Sequence, residues 1–209
     1  MKHLKMFATV AILAAALLAS VGSGSALANK TTLCSTNTNP CTGTTYPVGT
    51  VIKSQLVGEA VFITGFATIK CKKVSGEGQL QEFTASGTPR GKITATPFGE
   101  CGECTLTLTS YGTLEISTET SGTSNGNGTQ TGSNTRLTAN CSGISCIFGT
   151  AESTTLGKVT GGNPAIFKAN AKVPYFSGDA SNFVCTLGSG TGSMTAEMEV
   201  TAPKPLFIE

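Results

Sequence analysis

Residues 167–173 read FKANAKV, in which apolar and polar side chains alternate with a period of two. Residues 194–200 read MTAEMEV and repeat this alternation. Successive side chains of a β-strand point to opposite faces of the sheet, so such a stretch buries one face and exposes the other. Both stretches therefore predict half-buried β-strands.

Similar patterns recur along the chain. Residues 61–63 and 66–71 predict two strands around a turn at Gly65, and residues 93–95 predict another strand. Residues 105–116 alternate in two runs separated by Tyr111-Gly112. We interpret this dipeptide as a hairpin turn, because Gly112 can supply the positive φ that a tight turn needs.

Glycine punctuates the chain about every 8 to 12 residues, as it does in a β-sandwich or barrel. Thr and Val are frequent, and no segment after residue 28 has a helical period. We therefore expect an all-β fold, in the form of a disulfide-stapled antiparallel β-sandwich that is Ig-like or jelly-roll-like. One such domain is favoured over two small sandwiches.

Two segments stand outside the alternating pattern. Residues 121–135 contain no apolar side chain and two Asn-Gly pairs, which predicts a mobile loop or the tip of a long hairpin. Residues 203–208 read PKPLFI, and proline suits the edge of a sheet rather than its centre. We expect an edge strand there.

The N-terminus has the pattern of a secretory signal peptide. Lys2, His3 and Lys5 precede an apolar run over residues 6–19, and Ala26-Leu27-Ala28 gives a small-x-small cleavage site. The run is shorter than the roughly 20 residues that a membrane-spanning helix needs. We expect a signal peptide over 1–28 and a single secreted domain over 29–209, extracellular or at the cell surface, with no transmembrane segment.

The charge balance argues against a nucleic-acid partner. The chain has 14 basic and 12 acidic residues, and loss of Lys2 and Lys5 with the signal brings the formal net charge to zero. Nucleic-acid binding requires clustered basic side chains that replace counterions. The one basic cluster, Lys70, Lys72 and Lys73, is interpreted as a solvated strand face.

Eight cysteines in an exported chain predict up to four disulfides. We expect Cys34 to pair with Cys41 across a short loop, and Cys141 to pair with Cys146 across a turn. Cys71 is in phase with inward-facing neighbours and should reach the CGEC segment or Cys185. A zinc or redox site is disfavoured, because no helix follows CGEC and the mature chain lacks histidine. The candidates are Cys34, Cys41, Cys71, Cys101, Cys104, Cys141, Cys146 and Cys185.

Most enzyme mechanisms lack their residues. His3 is the only histidine, which excludes Ser-His-Asp, Cys-His and histidine-metal chemistry from the mature chain. Glu197 and Glu199 share a strand face, but that face has the character of an ordinary exterior. Asp179 with Asn182 is a weak calcium alternative. We expect no catalytic, cofactor-binding or metal-binding residues and no enzyme activity.

Several short segments give the chain a family resemblance. They are the signal ending ALA, the Cys34 and Cys41 pair, YPVGT at 46–50, FATIKC at 66–71, GGNPA at 161–165 and APKPLFIE at 202–209. In these segments the chain resembles secreted Thr- and Gly-rich β proteins of soil actinobacteria of the Solirubrobacter type, a family with no assigned activity. The resemblance implies secretion and a β fold and no site residue.

Export, stapled β structure, neutral charge and missing catalytic residues together favour a non-catalytic protein. The leading hypothesis is a structural, adhesive or matrix role in the extracellular space or cell envelope, with self-association through the edge at residues 206–208. The alternative is an extracellular binding module for a small apolar ligand or a surface glycan. A well-formed apolar cavity would favour the alternative, and a filled core would exclude it.

Overall fold

Thirteen β-strands and one short helix make up the part of the chain that the computed structural model describes, namely residues 31–38, 41, 43–84, 87–120, 123–150, 152–178, 182–188 and 190–209. The predicted signal peptide lies outside these residues. The strands are β1 (Leu33–Cys34), β2 (Val51–Ile63), β3 (Thr68–Cys71), β4 (Lys73–Phe83), β5 (Pro89–Ala95), β6 (Phe98–Gly99), β7 (Cys104–Thr120), β8 (Thr123–Cys141), β9 (Ile144–Gly149), β10 (Thr154–Thr160), β11 (Ile166–Gly178), β12 (Thr191–Ala202) and β13 (Phe207–Ile208). The helix, α1, spans Asn182–Cys185.

Eight strands form a closed antiparallel barrel. Its order is β2-β4-β5-β7-β8-β10-β11-β12, and β12 pairs with β2 to close the ring. Each barrel strand neighbours the next one along the chain, which is an up-and-down arrangement. The all-β prediction is confirmed. The structure is a barrel and not the predicted sandwich, because the β12–β2 and β7–β8 pairings join the sheet into one ring rather than leaving two facing sheets.

The two alternating stretches at 167–173 and 194–200 are neighbouring strands, as predicted. In the β11–β12 ladder, Phe167 is opposite Met198 and Ala169 is opposite Ala196, and these side chains face the barrel interior. Lys168 and Glu197 are opposite each other on the outer face, where their charged groups lie 3.4 Å apart. The alternation therefore separates the interior from the solvated exterior.

The hairpin expected at Tyr111-Gly112 is wrong. β7 runs without interruption through both residues, and Gly112 adopts a φ of 53° inside the strand instead of at a turn. Of the two forms expected over 121–135, the mobile loop is wrong, since β8 begins at Thr123 and pairs with β7 as a long antiparallel hairpin from Thr120 opposite Thr123 onward. Residues 121–122 lie outside the described residues.

One end of the barrel is closed by the chain termini of the folded unit. β13 pairs with β1 on one side and meets β8 on the other, and Leu206 and Ile208 are fully buried with Leu33. The Tyr46 hydroxyl donates a hydrogen bond to the Pro205 carbonyl, and burial raises the pKa of Tyr46. The edge strand predicted over 203–208 is therefore covered by neighbouring strands, and no association surface is exposed at Leu206 and Ile208.

The opposite end contains three of the four disulfides. Cys71–Cys101, Cys104–Cys141 and Cys146–Cys185 lie there, and Cys34–Cys41 lies near the closed end. The predictions for Cys34–Cys41 and for Cys71 with the CGEC segment are confirmed. The Cys141–Cys146 pair is wrong, because β8–β9 register places Ile144 opposite Cys141, whereas Cys104 lies opposite it across β7–β8.

An exposed ion pair at this end gives a pH prediction. The Lys73 ammonium contacts Glu100, and its hydrogen bond and charge lower the pKa of that carboxyl. A lowered carboxyl pKa contributes stability that is present above the ordinary glutamate pKa and is lost as the pH falls through the folded-state pKa. We expect Lys73→Met to raise the pKa of Glu100 toward its ordinary value in an NMR titration. Lys72→Met, the matched control, should change it less, because Lys72 acts only through charge at longer range.

Candidate functional site: an apolar cavity inside the barrel

The barrel interior contains a cavity of about 270 Å³. All eight barrel strands contribute to its lining, which is almost entirely apolar. An eight-stranded barrel is just wide enough either to be filled by side chains or to hold one small ligand. Here the side chains do not fill it. Representative lining residues are Ile52, Leu80, Ile93, Leu108, Phe167 and Met194.

The void arises from small residues at inward positions of β4 and β5. Gly76 and Gly78 lie in phase with the buried residues Val74 and Leu80, so they occupy inward positions without a side chain. Gly91 of β5 is paired directly with Leu80. All three glycines line the cavity and contribute no side chain to fill it.

Small residues on the opposite wall enlarge the void. Ala169 and Ala171 of β11 and Ala196 of β12 face inward between larger neighbours. Ala169 and Ala196 are paired directly and are only partly buried, although they point away from the outer surface. Both residues line the cavity, and both also border a shallow groove on the outer face beside Lys168 and Glu197.

Two threonines give the cavity wall a polar spot. Thr135 of β8 and Thr150, just after β9, both line the cavity, and Thr150 is fully buried. The Thr135 N–H donates a hydrogen bond of 3.1 Å to the Thr150 hydroxyl, and the Thr150 N–H donates one of 3.0 Å to the Thr135 carbonyl. The Thr135 Oγ1 is itself buried and has no hydrogen-bond partner.

Within the described residues, the cysteines and the two glutamates singled out as chemical candidates are each engaged with a partner. All eight cysteines are in disulfides, which removes the thiolates that zinc or redox chemistry would need. Glu197 contacts Lys168 and Glu199 contacts Lys204 at 2.8 Å, so each carboxylate is held in a surface ion pair. Asp179 lies outside the described residues, and so does the side chain of Asn182.

Within the part of the chain that the structure describes, no group of three or more His, Cys, Asp or Glu side chains is placed to hold a metal ion. None of the helices in these residues is long and apolar enough to cross a membrane.

The sequence pattern does not indicate the cavity, although its alternation places several lining residues on inward strand faces. The available signal was glycine at every second position in SGEG, residues 75–78, in phase with Val74 and Leu80. Thr135 could not have been found, because it lies in a segment with no apolar residue to mark the inward face.

The cavity is suited to binding rather than to chemistry. A dry apolar cavity of about 150 Å³ is enough to hold benzene, so one of about 270 Å³ suits a molecule of roughly ten non-hydrogen atoms. Ligand sites of this kind combine an apolar wall with a few polar groups that fix orientation. Thr135 has that character here, because its hydroxyl has no hydrogen-bond partner within the described protein.

Comparisons with known proteins add no assignment: no family model, no curated protein and no solved structure matches the chain.

Proposed function

We propose that this chain is a secreted, non-catalytic binding protein that holds one small apolar ligand inside its barrel. The observation that supports this function best is the 270 Å³ apolar cavity at the centre of the fold. Burial of apolar ligand surface there gains roughly 25 cal/mol per Å². The closed barrel fixes the wall in advance, so little of that gain is lost to ordering the protein.

A structural or adhesive role has less support. That hypothesis depended on an exposed edge at residues 206–208, but β13 is paired with β1 and β8 there, and Leu206 and Ile208 are buried. A closed ring removes the free edges through which strands of separate molecules associate. We therefore place ligand binding ahead of self-association.

The wall chemistry favours an apolar ligand over a glycan. Glycan recognition needs many hydrogen-bonding groups, and the cavity offers few of them.

Secretion is part of the proposal and is supported by the signal-peptide pattern and by four disulfides, which are typical of extracellular proteins.

Butylbenzene, with about ten non-hydrogen atoms, is a probe of the expected size. We expect it to raise the midpoint of thermal unfolding in proportion to the logarithm of its concentration once binding saturates. Chemical shifts of the Ala169 and Ala196 methyl groups should change in the same titration, since both residues line the cavity. No shift of the midpoint and no methyl perturbation up to the solubility limit would overturn the proposal.

A cavity-filling variant tests where the probe binds. Ala196→Leu places three further carbon atoms inside the barrel, and we expect it to fold and to lose butylbenzene binding. Filling the void should also stabilise the free protein by up to about 2 kcal/mol, at roughly 0.8 kcal/mol for each buried carbon. Thr195→Leu adds a leucine at the exposed neighbouring position of the same strand and should bind as the wild type does. Equal binding by both variants would place the ligand outside the barrel.

A further inference from the structure

The Thr135 hydroxyl is the one buried polar group of the described cavity wall without a hydrogen-bond partner. Leaving a buried hydroxyl unpaired is unfavourable, because water that solvated it in the unfolded chain is not replaced. Nearly all buried polar groups in proteins are paired, so an unpaired one calls for an explanation.

The groups around Thr135 are already paired with each other. Its carbonyl accepts hydrogen bonds from the Thr150 N–H and from Arg136 Nη1, and its N–H donates to the Thr150 hydroxyl. Arg136 Nη1 also donates to the Thr150 carbonyl at 2.8 Å, and its guanidinium lies over the Phe176 ring. The backbone around Thr135 is thus held firmly, and these neighbouring groups are already engaged.

The alternation of inward and outward side chains in β8 shifts by one residue before Thr135, and this shift places Thr135 at the cavity. Gly132 is buried, and a Cβ there would point at Leu114 and Leu156 of the cavity wall, so strict alternation would turn Asn134 inward after it. Instead Asn134 is exposed with a φ of 56°, and Thr135 lines the cavity three residues after Gly132. Local irregularities that re-aim a side chain are frequent beside binding sites.

We infer that the ligand is an apolar molecule with a single hydrogen-bonding group, such as an alcohol or a ketone, which pairs with the Thr135 hydroxyl. This inference rests on the proposed function and specifies its ligand class. A threonine hydroxyl can donate to a ketone oxygen or accept from an alcohol, so both classes satisfy it. A carboxylate is disfavoured, because an ionised group in an apolar cavity needs a charged partner.

The test compares two ligands of equal size in two proteins. 3-Phenylpropan-1-ol and butylbenzene have similar size and differ in the hydroxyl. The alcohol is more soluble in water than butylbenzene, which by itself would weaken its binding to an apolar cavity. We expect the wild-type chain to bind the alcohol more tightly than this difference in solubility predicts. Thr135→Val removes the hydroxyl at constant shape and should weaken alcohol binding about tenfold while leaving butylbenzene binding unchanged or tighter. Titration calorimetry measures all four affinities.

Two controls separate this inference from the proposed function. Thr138→Val removes a hydroxyl that contacts Thr109 on the exposed outer face of the same strand, and should leave both affinities unchanged. Butylbenzene binding with no loss of alcohol affinity in Thr135→Val would overturn the ligand class and leave the binding function standing. Failure of both ligands to bind the wild-type chain would overturn both.

Discussion

Replacing Cys146 and Cys185 together by alanine is expected to lower the free energy of unfolding by about 4 kcal/mol, since their disulfide closes a 39-residue separation and constrains the unfolded chain. Both residues are almost completely buried, so the substitution also removes packing. This disulfide joins β9 to α1, which is only four residues long and could not hold its position by helix formation alone. Guanidinium unfolding under two-state conditions measures the loss.

The matched control is the double alanine variant of Cys34 and Cys41. Their separation is only 7 residues, so the same entropic relation gives about 2 kcal/mol. Thermal unfolding should show the same order, with a midpoint for the Cys146 and Cys185 variant lower than the wild type by about 10 °C. Equal losses for the two variants would show that loop entropy does not determine what these disulfides contribute.

Local alternation predicted the strands but not their closure into a barrel. The stretches at 167–173 and 194–200 identify inward and outward faces, because side-chain direction in a strand depends only on sequence position. A sandwich and a barrel share that local pattern. The pairing of β12 with β2 joins segments more than a hundred residues apart, and no local signal specifies it.

The errors within strands have a common physical origin. Gly112 and Asn134 take positive φ inside β7 and β8, where the pattern at Tyr111-Gly112 indicated a turn and the polar segment 121–135 indicated a loop. Cross-strand pairing compensates for the low apolar content of this hairpin, whose register extends from Cys104 opposite Cys141 to Thr120 opposite Thr123. Tertiary pairing therefore overrides the local preference there.

The sequence pattern indicated only part of the cavity wall. Ala169, Ala171 and Ala196 were placed on inward faces, but whether small inward residues leave a void depends on what faces them across the barrel. Gly76, Gly78 and Gly91 line the same cavity, and closure of the ring brings their strands together with β11 and β12 around it. The one polar ligand contact that we propose, Thr135, depends in addition on the phase change at Asn134.

Gly112 occupies a position in the barrel wall that cannot accept a side chain without strain. Its φ of 53° is in the left-handed region, which costs other residues roughly 1–2 kcal/mol. A Cβ at this position would lie 2.1 Å from the Ser133 carbonyl oxygen and 2.7 Å from Thr135 Oγ1. The nearest obstacle is backbone of the paired strand, which cannot move aside without breaking the β7–β8 ladder.

We therefore expect Gly112→Ala to lower the free energy of unfolding by about 3 kcal/mol or more, as backbone strain and overpacking add. Gly143→Ala is the matched control, because Gly143 also has a positive φ, 83°, but a Cβ there would meet nothing within 4 Å. That variant should lose only about 1 kcal/mol. Urea unfolding of both variants checks the difference, and similar losses would show that backbone strain alone, without the clash against Ser133, accounts for the need for glycine at position 112.

Because the clash also presses on Thr135, a Gly112→Ala protein that still folds should bind 3-phenylpropan-1-ol more weakly, whereas Gly143→Ala should bind it as the wild type does.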